Sequence, residues 1–263
     1  MKKINFEIIG NILILKSKED EHRLRKFSND MMEKYPSLTT VVLQTSLVSG
    51  LERTRDFRHF MGVETFETTY KEHSCIFKFD ITSAFFSPRL SYERQRIANL
   101  ICTKETIINF FSGVGPFSIA IARKCRSCII HSIELNKNAY NYLIENIKLN
   151  KCANQIFPYL GDAFNIVPEL FVGKADRVLL PLPLEAERSL PIAFKSLKNG
   201  KGTIHWQITE KTSGEERTES IYQRINNLLN KNKIEASFKI ETERLIRWIA
   251  PHVAHKAIDL VFS

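Results

Sequence analysis

Apolar positions follow two rhythms along this chain: short continuous runs, and longer stretches in which an apolar residue returns every third or fourth place. The first predicts buried strands and the second one-faced helices. Residues 4–16 alternate about Gly10-Asn11 and predict a β-hairpin. Residues 17–35 are charged but set Leu24, Phe27, Met31 and Met32 on one helical face, and 39–44 is a β-branched run. Residues 67–81 read as two strands about Glu72-His73, so a small α+β unit with its own core is expected over 1–82. From Thr106 onward strands (107–111, 128–134, 156–160, 176–180, 202–209) alternate with helices (136–149, 185–197 interrupted at Pro191, 214–229), and 234–240 and 257–262 close the chain. Such alternation predicts a largely parallel, doubly wound sheet that binds ligands at its C-terminal strand ends.

The strongest local pattern is TIINFFSGVGPFSIAIA, from Thr106 to Ala122, which predicts strand, tight turn and helix. Its glycines let backbone approach a ligand, and Pro116 suits a first helical turn, where its missing N–H is no loss. Twenty-one residues past Gly113 a second apolar run ends at Glu134, where a carboxylate can accept both hydroxyl hydrogens of a ribose. A third leads to Gly161-Asp162-Ala163, where Asp162 can accept an adenine amino hydrogen. Gly113, Gly115, Glu134, Asp162 and Ala163, with Phe111 and Leu135 beside them, form the candidate cofactor set. A dinucleotide turn carries a third glycine and holds a pyrophosphate; here that position is Ser118 and the turn is poor in charge, which favours S-adenosylmethionine over NAD. Taken alone, Gly-x-Gly also fits a structural turn.

Charge adds a partner class. Lysine and arginine exceed aspartate and glutamate by nine, which suits a polyanion, although excess charge also serves solubility. The stretch 51–60 interleaves Arg53, Arg55, Arg58 and His59 with Phe57 and Phe60 without clear period, and fits either a solvated loop or a surface meeting RNA phosphates and bases. No run of eighteen apolar residues occurs and Met1-Lys2-Lys3 leads straight into a strand pattern, so neither a membrane span nor a signal peptide is expected and the location is cytoplasmic. Five cysteines form no disulfide framework, and Cys125-x-x-Cys128 lacks a second ligand pair, so no metal is expected. In FFSPRLSYER, 85–94, Pro88 disfavours helix at Ser87 and Ser91 suits an N-cap, which puts Glu93 and Arg94 in a first helical turn aimed at the ligand edge. On residue type alone that pair is surface decoration. Likewise Pro181 and Pro183, after the strand 176–180, present only backbone carbonyls and also fit a rigid turn.

Together, FFSPRLSYERQRIA, NFFSGVGPFSIAIA, the Glu134 strand, NIKLNK, LGDAF, KADRVLLPLP and GTIHW resemble the archaeal and eukaryotic tRNA (guanine-N1)-methyltransferases that modify position 37, the guanosine 3′ to the anticodon. The resemblance runs from about Ile4 to the C-terminus. It implies a class I S-adenosylmethionine-dependent methyltransferase, α/β and Rossmann-like, over 83–263, behind a small α+β RNA-binding domain over 1–82. Family members usually begin with a further domain that meets the outer corner of the tRNA, and that element is expected to be absent here. Enzymes that make only 1-methylguanosine carry Asn-Leu-Pro at the fourth strand tip. Pro181-Leu182-Pro183 instead resembles the archaeal wyosine-pathway subgroup, whose bifunctional members methylate N1 of guanosine and C7 of 4-demethylwyosine, giving isowyosine; some do only the second. Asn109 stands where the family often has Asp, and Ser112 where Ala is usual.

By this resemblance Arg53, Phe85, Glu93, Arg94, Glu134, Pro181 and Pro183 occupy functional positions. Guanine N1 carries a hydrogen at neutral pH, so its methylation needs a base, Glu93, and a cation for charge growing on O6, Arg53. Phe85 is suited to stack on the base, Arg94 to hold a phosphate or orient Glu93, Arg55 and Arg89 to meet the RNA, and Pro181 and Pro183 to shape the pocket floor. The implied partner is tRNA, through the anticodon loop and with tRNA-Phe as substrate, and the expected state is a monomer. Two other readings remain: transfer of the aminocarboxypropyl group from the same cofactor, and a tRNA-binding protein that does not turn over.

Overall fold

The computed structural model describes residues 4–17, 19–46, 55–101, 104–212 and 220–263. The expected hairpin forms between β1 (Phe6–Ile9) and β2 (Ile12–Leu15). Its turn residue Gly10 sits at φ +57, and a Cβ there would lie 2.2 Å from Thr68 Oγ1, so a side chain would push the hairpin off its neighbour. Asp20 caps α1 (Glu21–Lys34) by accepting from the Arg23 N–H, and Leu24 and Met31 bury on the face the spacing marked. β3 (Thr40–Gln44) lies parallel to β2, and β4 (Phe57–Gly62) antiparallel to β3. The basic-aromatic stretch is therefore a strand over 57–60, with Phe60 buried and Arg58 exposed; residues 51–54, Arg53 included, lie outside the described residues. β5 (Glu67–Glu72) and β6 (Cys75–Asp80) form a second hairpin about His73-Ser74.

The first sheet, β1-β2-β3-β4, has two apolar faces. Leu13, Leu15 and Val41 pack under α1 with Leu24 and Met31, but Ile12, Ile14 and Val42 join Phe77, Phe79 and Phe86 in a cluster that runs on into the rest of the chain. The expectation of a wholly separate core holds for one face only, because one helix cannot cover both sides of a sheet.

Beyond it, α2 (Ser91–Leu100) leads into a regular alternation: β7 (Thr106–Asn109), α3 (Pro116–Lys124), β8 (Ile129–Glu134), α4 (Lys137–Leu149), β9 (Ile156–Leu160), α5 (Ala163–Leu170), β10 (Arg177–Leu180), α6 (Ala186–Ser196), β11 (Gly202–Lys211), α7 (Ile221–Lys231), β12 (Phe238–Ala250) and β13 (Val253–Phe262). The strand order is β9-β8-β7-β10-β11-β13-β12. The five strands from β9 to β11 are parallel, and β13 runs antiparallel between β11 and β12, so the sheet is mixed. Adjacent residues point to opposite faces: Ile107 and Leu179 bury beneath α2, α3 and α4, Ile108, Val178 and Leu180 beneath α5, α6 and α7. This is the doubly wound α/β arrangement.

Besides β13, which starts at Val253 and not at 257, three elements differ from expectation. α6 continues through Pro191, which is buried against the sheet. α7 starts at Ile221, where Ser220 and Gln223 form a capping box; residues 213–219 lie outside the described residues. β12 extends ten residues past 240, because the alternation of Thr242, Arg244 and Ile246 with Glu243 and Leu245 is mostly polar and hides a strand from an apolar-run criterion. The NIKLNK motif has a docking role: Asn146 and Asn150, one turn apart on α4, each bond the backbone of β6, Lys78 N to Asn146 Oδ1 at 2.8 Å and Ile76 N to Asn150 Oδ1 at 2.9 Å. Their side-chain N–H groups return bonds to the Lys78 and Ile76 carbonyls, closing the strand's free edge against the C-terminal end of α4.

Candidate active site

The C-terminal ends of β7, β8 and β9 gather the nucleoside-binding candidates. Gly113 N–H donates to Glu134 Oε2 at 2.6 Å and Asn136 N–H to Oε1 at 2.8 Å, so one carboxylate ties the two strand tips together. A carboxylate at this strand tip is the type of group that accepts ribose hydroxyl hydrogens. Asp162 caps α5 by accepting from Phe164 N at 2.9 Å. Ala163 is buried behind it, and the half-buried Phe111 ring lies 6.1 Å from that of Phe164. The two glycines differ. At Gly113, φ +54, a Cβ would meet only Phe85 O at 3.8 Å, whereas at Gly115, φ +95, it would strike Leu143 Cδ1 at 2.7 Å. Gly113 has room for more than hydrogen, with only a van der Waals contact to Phe85 O; Gly115 is packed between α3 and α4, against Ile119 and Leu143. Ser118, at the third-glycine position, bonds Asn109 Nδ2 at 3.1 Å and Ser132 Oγ at 2.7 Å beneath the turn. Room over Gly113, a carboxylate at the ribose position, exposed Leu135 beside it and no cationic residue between 109 and 118 suit a nucleoside sulfonium and not a pyrophosphate.

Across this edge, Phe85 is half-buried with the Arg55 guanidinium 6.0 Å from its ring centre. Asn136 Nδ2 donates to Ser83 O at 2.9 Å and pins this segment to the tip of β8. Arg55 also lies 3.8 Å from Glu7. Burial lowers the pKa of the Arg55 guanidinium, Glu7 opposes that and the exposed Arg89 adds to it, so Arg55 and Arg89 share one electrostatic neighbourhood. Pro181 and Pro183, half-buried, follow β10, and Pro183 opens a short 3-10 turn, Pro183–Glu185.

Glu93 lies in the first turn of α2 as expected, but points inward and is 1% exposed. Leu90, not Ser91, occupies the cap position, and Ser91 Oγ pairs with His73 Nε2 at 3.0 Å. Arg96 holds both Glu93 oxygens, Nη2 to Oε1 at 2.7 Å and Nε to Oε2 at 2.9 Å, and Arg244 Nη1 adds a bond to Oε2 at 3.0 Å. The other edge of Arg96 is fixed on Asp259, at 2.5 and 2.9 Å. Asp259 meets His205 Nδ1 at 2.6 Å, His205 Nε2 meets Arg177 Nη1 at 2.7 Å, and Arg177 Nε meets Glu105 at 2.6 Å. Burial pushes the His205 imidazole towards its neutral form, so Nδ1 donates to Asp259 and Nε2 accepts from Arg177. Burial alone would raise the Asp259 carboxyl, but bonds from His205 and Arg96 hold it below the usual carboxylate range. His205 pairs in register with Leu179, two residues before Pro181, so the chain of ion pairs sets Glu93 against the C-terminal end of the sheet.

One expected role changes. Arg94 is 1% exposed, donating to Glu72 Oε2 at 2.6 Å and to Ser87 O at 3.2 Å, so it anchors α2 to β5 and neither meets a phosphate nor orients Glu93. Arg96, Asp259, His205 and Arg244 were missed. A signal for two of them existed: His205 in GTIHW and Asp259 in AIDLVF interrupt apolar strands, and a buried polar group needs a partner. Among the described residues, no helix is long and apolar enough to cross a membrane, and no group of three or more His, Cys, Asp or Glu side chains is placed to hold a metal.

Residues 68–237 match the family described as TRM5/TYW2 methyltransferase domain. The chain is 36% identical over 260 residues to the tRNA 4-demethylwyosine(37)-methyltransferase Taw21 of Saccharolobus solfataricus, covering 97% of this chain and 92% of that protein. It is 33% identical to the tRNA (guanine(37)-N(1))-methyltransferase Trm5b of Pyrococcus abyssi, over 98% of this chain and 75% of that protein. It is 31% identical to the tRNA(Phe) (4-demethylwyosine(37)-C(7)) aminocarboxypropyltransferase of Methanocaldococcus jannaschii, over 99% and 98%. Among solved structures, the complex of aTrm5 and tRNALeu superposes with a TM-score of 0.82 at 28% identity, over 99% of this chain and 72% of that one. M. jannaschii TYW2 in complex with AdoMet superposes at 0.71 and 25% identity, over 98% and 99%.

Proposed function

Since this chain belongs to the family of the TRM5/TYW2 methyltransferase domain, we infer that it transfers a methyl group from S-adenosylmethionine to nucleotide 37 of tRNA. The observation that carries the reading is Glu93, a carboxylate fixed out of water by Arg96, whose other partner Asp259 lies in register with His205, Leu179 and Asn109 near the C-terminal ends of β10 and β7. Bound there, S-adenosylmethionine supplies a sulfonium-activated methyl group. Glu134 and the Gly113 turn hold the ribose, Asp162 takes the adenine amino group, and Leu135 and Phe111 supply apolar surface beside it. Phe85 stacks on the target base, drawn from a single-stranded loop at a cost of only a few kcal/mol. Glu93 removes the N1 proton, and Arg53 is the cation assigned to O6. Much of the acceleration then comes from holding base and methyl donor in line.

Pro181 and Pro183 give the pocket a floor without an asparagine side chain, leaving room for a tricyclic base. We assign both N1 of guanosine and C7 of 4-demethylwyosine as targets. At C7 a carbon attacks first and its aromatic proton leaves afterwards, so Glu93 matters less. The substrate we assign is the anticodon loop of tRNA-Phe, met by a cytoplasmic monomer in which 1–82 faces the RNA and 83–263 carries the transferase chemistry. A second reading, aminocarboxypropyl transfer, is favoured by the end-to-end likeness to the M. jannaschii enzyme. Pro181-Leu182-Pro183 leans towards methyl.

The test uses tRNA-Phe, unmodified and bearing 4-demethylwyosine, with cofactor labelled separately on the methyl and on the amino acid carbons, read by mass spectrometry of nucleosides. Methyl label on N1 and C7 is expected; amino acid carbon in the product overturns the reading. In the same assay Glu93→Gln, which keeps the shape Arg96 grips, is expected to slow N1 methylation by about 10²–10⁴-fold and C7 methylation far less. Equal loss of both would remove Glu93 from the role of base.

A further inference from the structure

β10 pairs with β11 only as far as Leu180 opposite Trp206, whereas β11 runs on to Lys211 and stays paired with β13 up to Val253. The β11–β13–β12 end of the sheet therefore projects about 16 Å past the tip of β10, at ~3.3 Å per residue, on the side where the candidate site opens. Along it, Arg244 stands opposite Ala257 and Arg247 opposite His255, two residues apart on β13, so the two arginines share a face. An extra residue between them, Ile246, makes this possible: the bulge turns Arg247, which plain alternation would send the other way. That face looks onto the site. Arg244 rests 4.1 Å from the Tyr92 ring centre and bonds Glu93, and Arg247 lies within electrostatic reach of Arg89 and Arg55, with the Glu7 carboxylate also in reach. Among the described residues neither Arg89 nor Arg247 forms an ion pair. Four guanidinium groups thus border one cleft between the projecting strands and the N-terminal unit, and guanidinium forks match phosphate oxygens.

The bonds on Glu93 give this face a second meaning. A base needs a free lone pair, and every contact the carboxylate makes here is to a guanidinium. Arg96 is locked by two further bonds to Asp259 and is 15% exposed; Arg244 makes a single bond, is 34% exposed and comes from an edge strand. Arg244 is the one that can leave. We propose that the Arg244–Arg247 face is the second wall of the RNA cleft, and that a substrate phosphate entering it draws Arg244 off Glu93 and so exposes the base only when RNA is in place.

This rests on the reading of Glu93 and of the RNA substrate above. The test measures tRNA binding by filter retention across a salt series, S-adenosylmethionine binding by calorimetry, and steady-state methylation, for wild type, Arg247→Gln, Arg244→Gln and Arg244→Lys. Unchanged cofactor affinity marks each variant as folded. Both glutamine variants are expected to raise the tRNA KM about tenfold, with the loss in KM and not in kcat, and to reduce the slope of log K against log salt by about 0.7–0.9 each, one phosphate contact. Arg244→Lys keeps the slope. Wild-type affinity and slope in both glutamine variants would overturn the cleft, and a fall in kcat for Arg244→Gln without change in binding would make Arg244 a fixed support. Because binding is read without turnover, a wild-type protein that binds tRNA but transfers nothing defeats the functional reading and leaves the cleft to be judged on the slopes.

Discussion

At the scale of single residues, the site turns on Arg96. Its planar fork serves two carboxylates at once, Glu93 on one edge and Asp259 on the other, and burial of both carboxylates makes the geometry and the charge both necessary. Arg96→Gln would leave Glu93 with the single bond from Arg244 and Asp259 with the bond from His205, removing the guanidinium that neutralises both, at a cost of about 3–5 kcal/mol. Arg96→Lys is the sharper probe, since it keeps the charge and loses the fork. It is expected to stay folded and bind cofactor normally while N1 methylation in single turnover falls about 100-fold, the effect of misplacing a base by a fraction of its reach. A lysine variant with wild-type N1 rates would show that Arg96 is only structural. FFSPRLSYER announced a charged first turn but not what each charge meets: Glu93 and Arg94 are sequence neighbours, yet successive positions on a helix point about 100° apart, and their partners come from α2 itself, β12 and β5.

At the scale of elements, the glycine turn joins two demands that sequence alone cannot separate. Gly113 and Gly115 both have positive φ, but only Gly115 is packed, against Leu143 and Ile119. Gly115→Ala is therefore expected to lower the melting temperature clearly. Gly113→Ala, with room above it, is expected to cost about 1–2 kcal/mol of backbone strain and to weaken S-adenosylmethionine binding by tenfold or more. Melting curves and calorimetry on the two variants separate the effects; a larger loss of cofactor affinity at Gly115 would reverse the assignment. Strand, turn and helix here were legible because an apolar run, Gly-x-Gly and Pro116 are local signals. The strand character of 57–62 and the length of β12 were not, since both mix polar and apolar positions and acquire their pairing from β3 and β13.

At the scale of the molecule, a chain of ion pairs and hydrogen bonds runs from Glu105 through Arg177, neutral His205, Asp259 and Arg96 to Glu93 and Arg244, crossing the sheet. This ties stability to pH. Burial holds His205 below its ordinary value near 6.5, so below that value the unfolded chain binds a proton the folded one lacks and stability is lost. His131, also lowered by burial, adds to the same window. Asp259, held low, contributes stability above the ordinary carboxylate range that is lost as pH falls below about 4. The melting temperature is therefore expected to drop from pH 7 to pH 5 and again in stronger acid. His205→Gln, which can still donate to Asp259 and accept from Arg177 but does not titrate, should shrink the first drop. An undiminished drop in that variant would place the titrating group elsewhere.

The sequence by itself determined the alternation of strands and helices, the glycine turn after β7, and the family likeness, because each is written in local motifs. Only the tertiary structure decided that Glu93 is gripped by Arg96 and Arg244, that Arg94 is an anchor, that Gly115 serves packing, and that β12 carries an arginine face to the site. The physical reason is separation along the chain. Glu93 and Arg244 are 151 positions apart, and what a buried charge does is fixed by whichever distant side chain the fold brings to neutralise it.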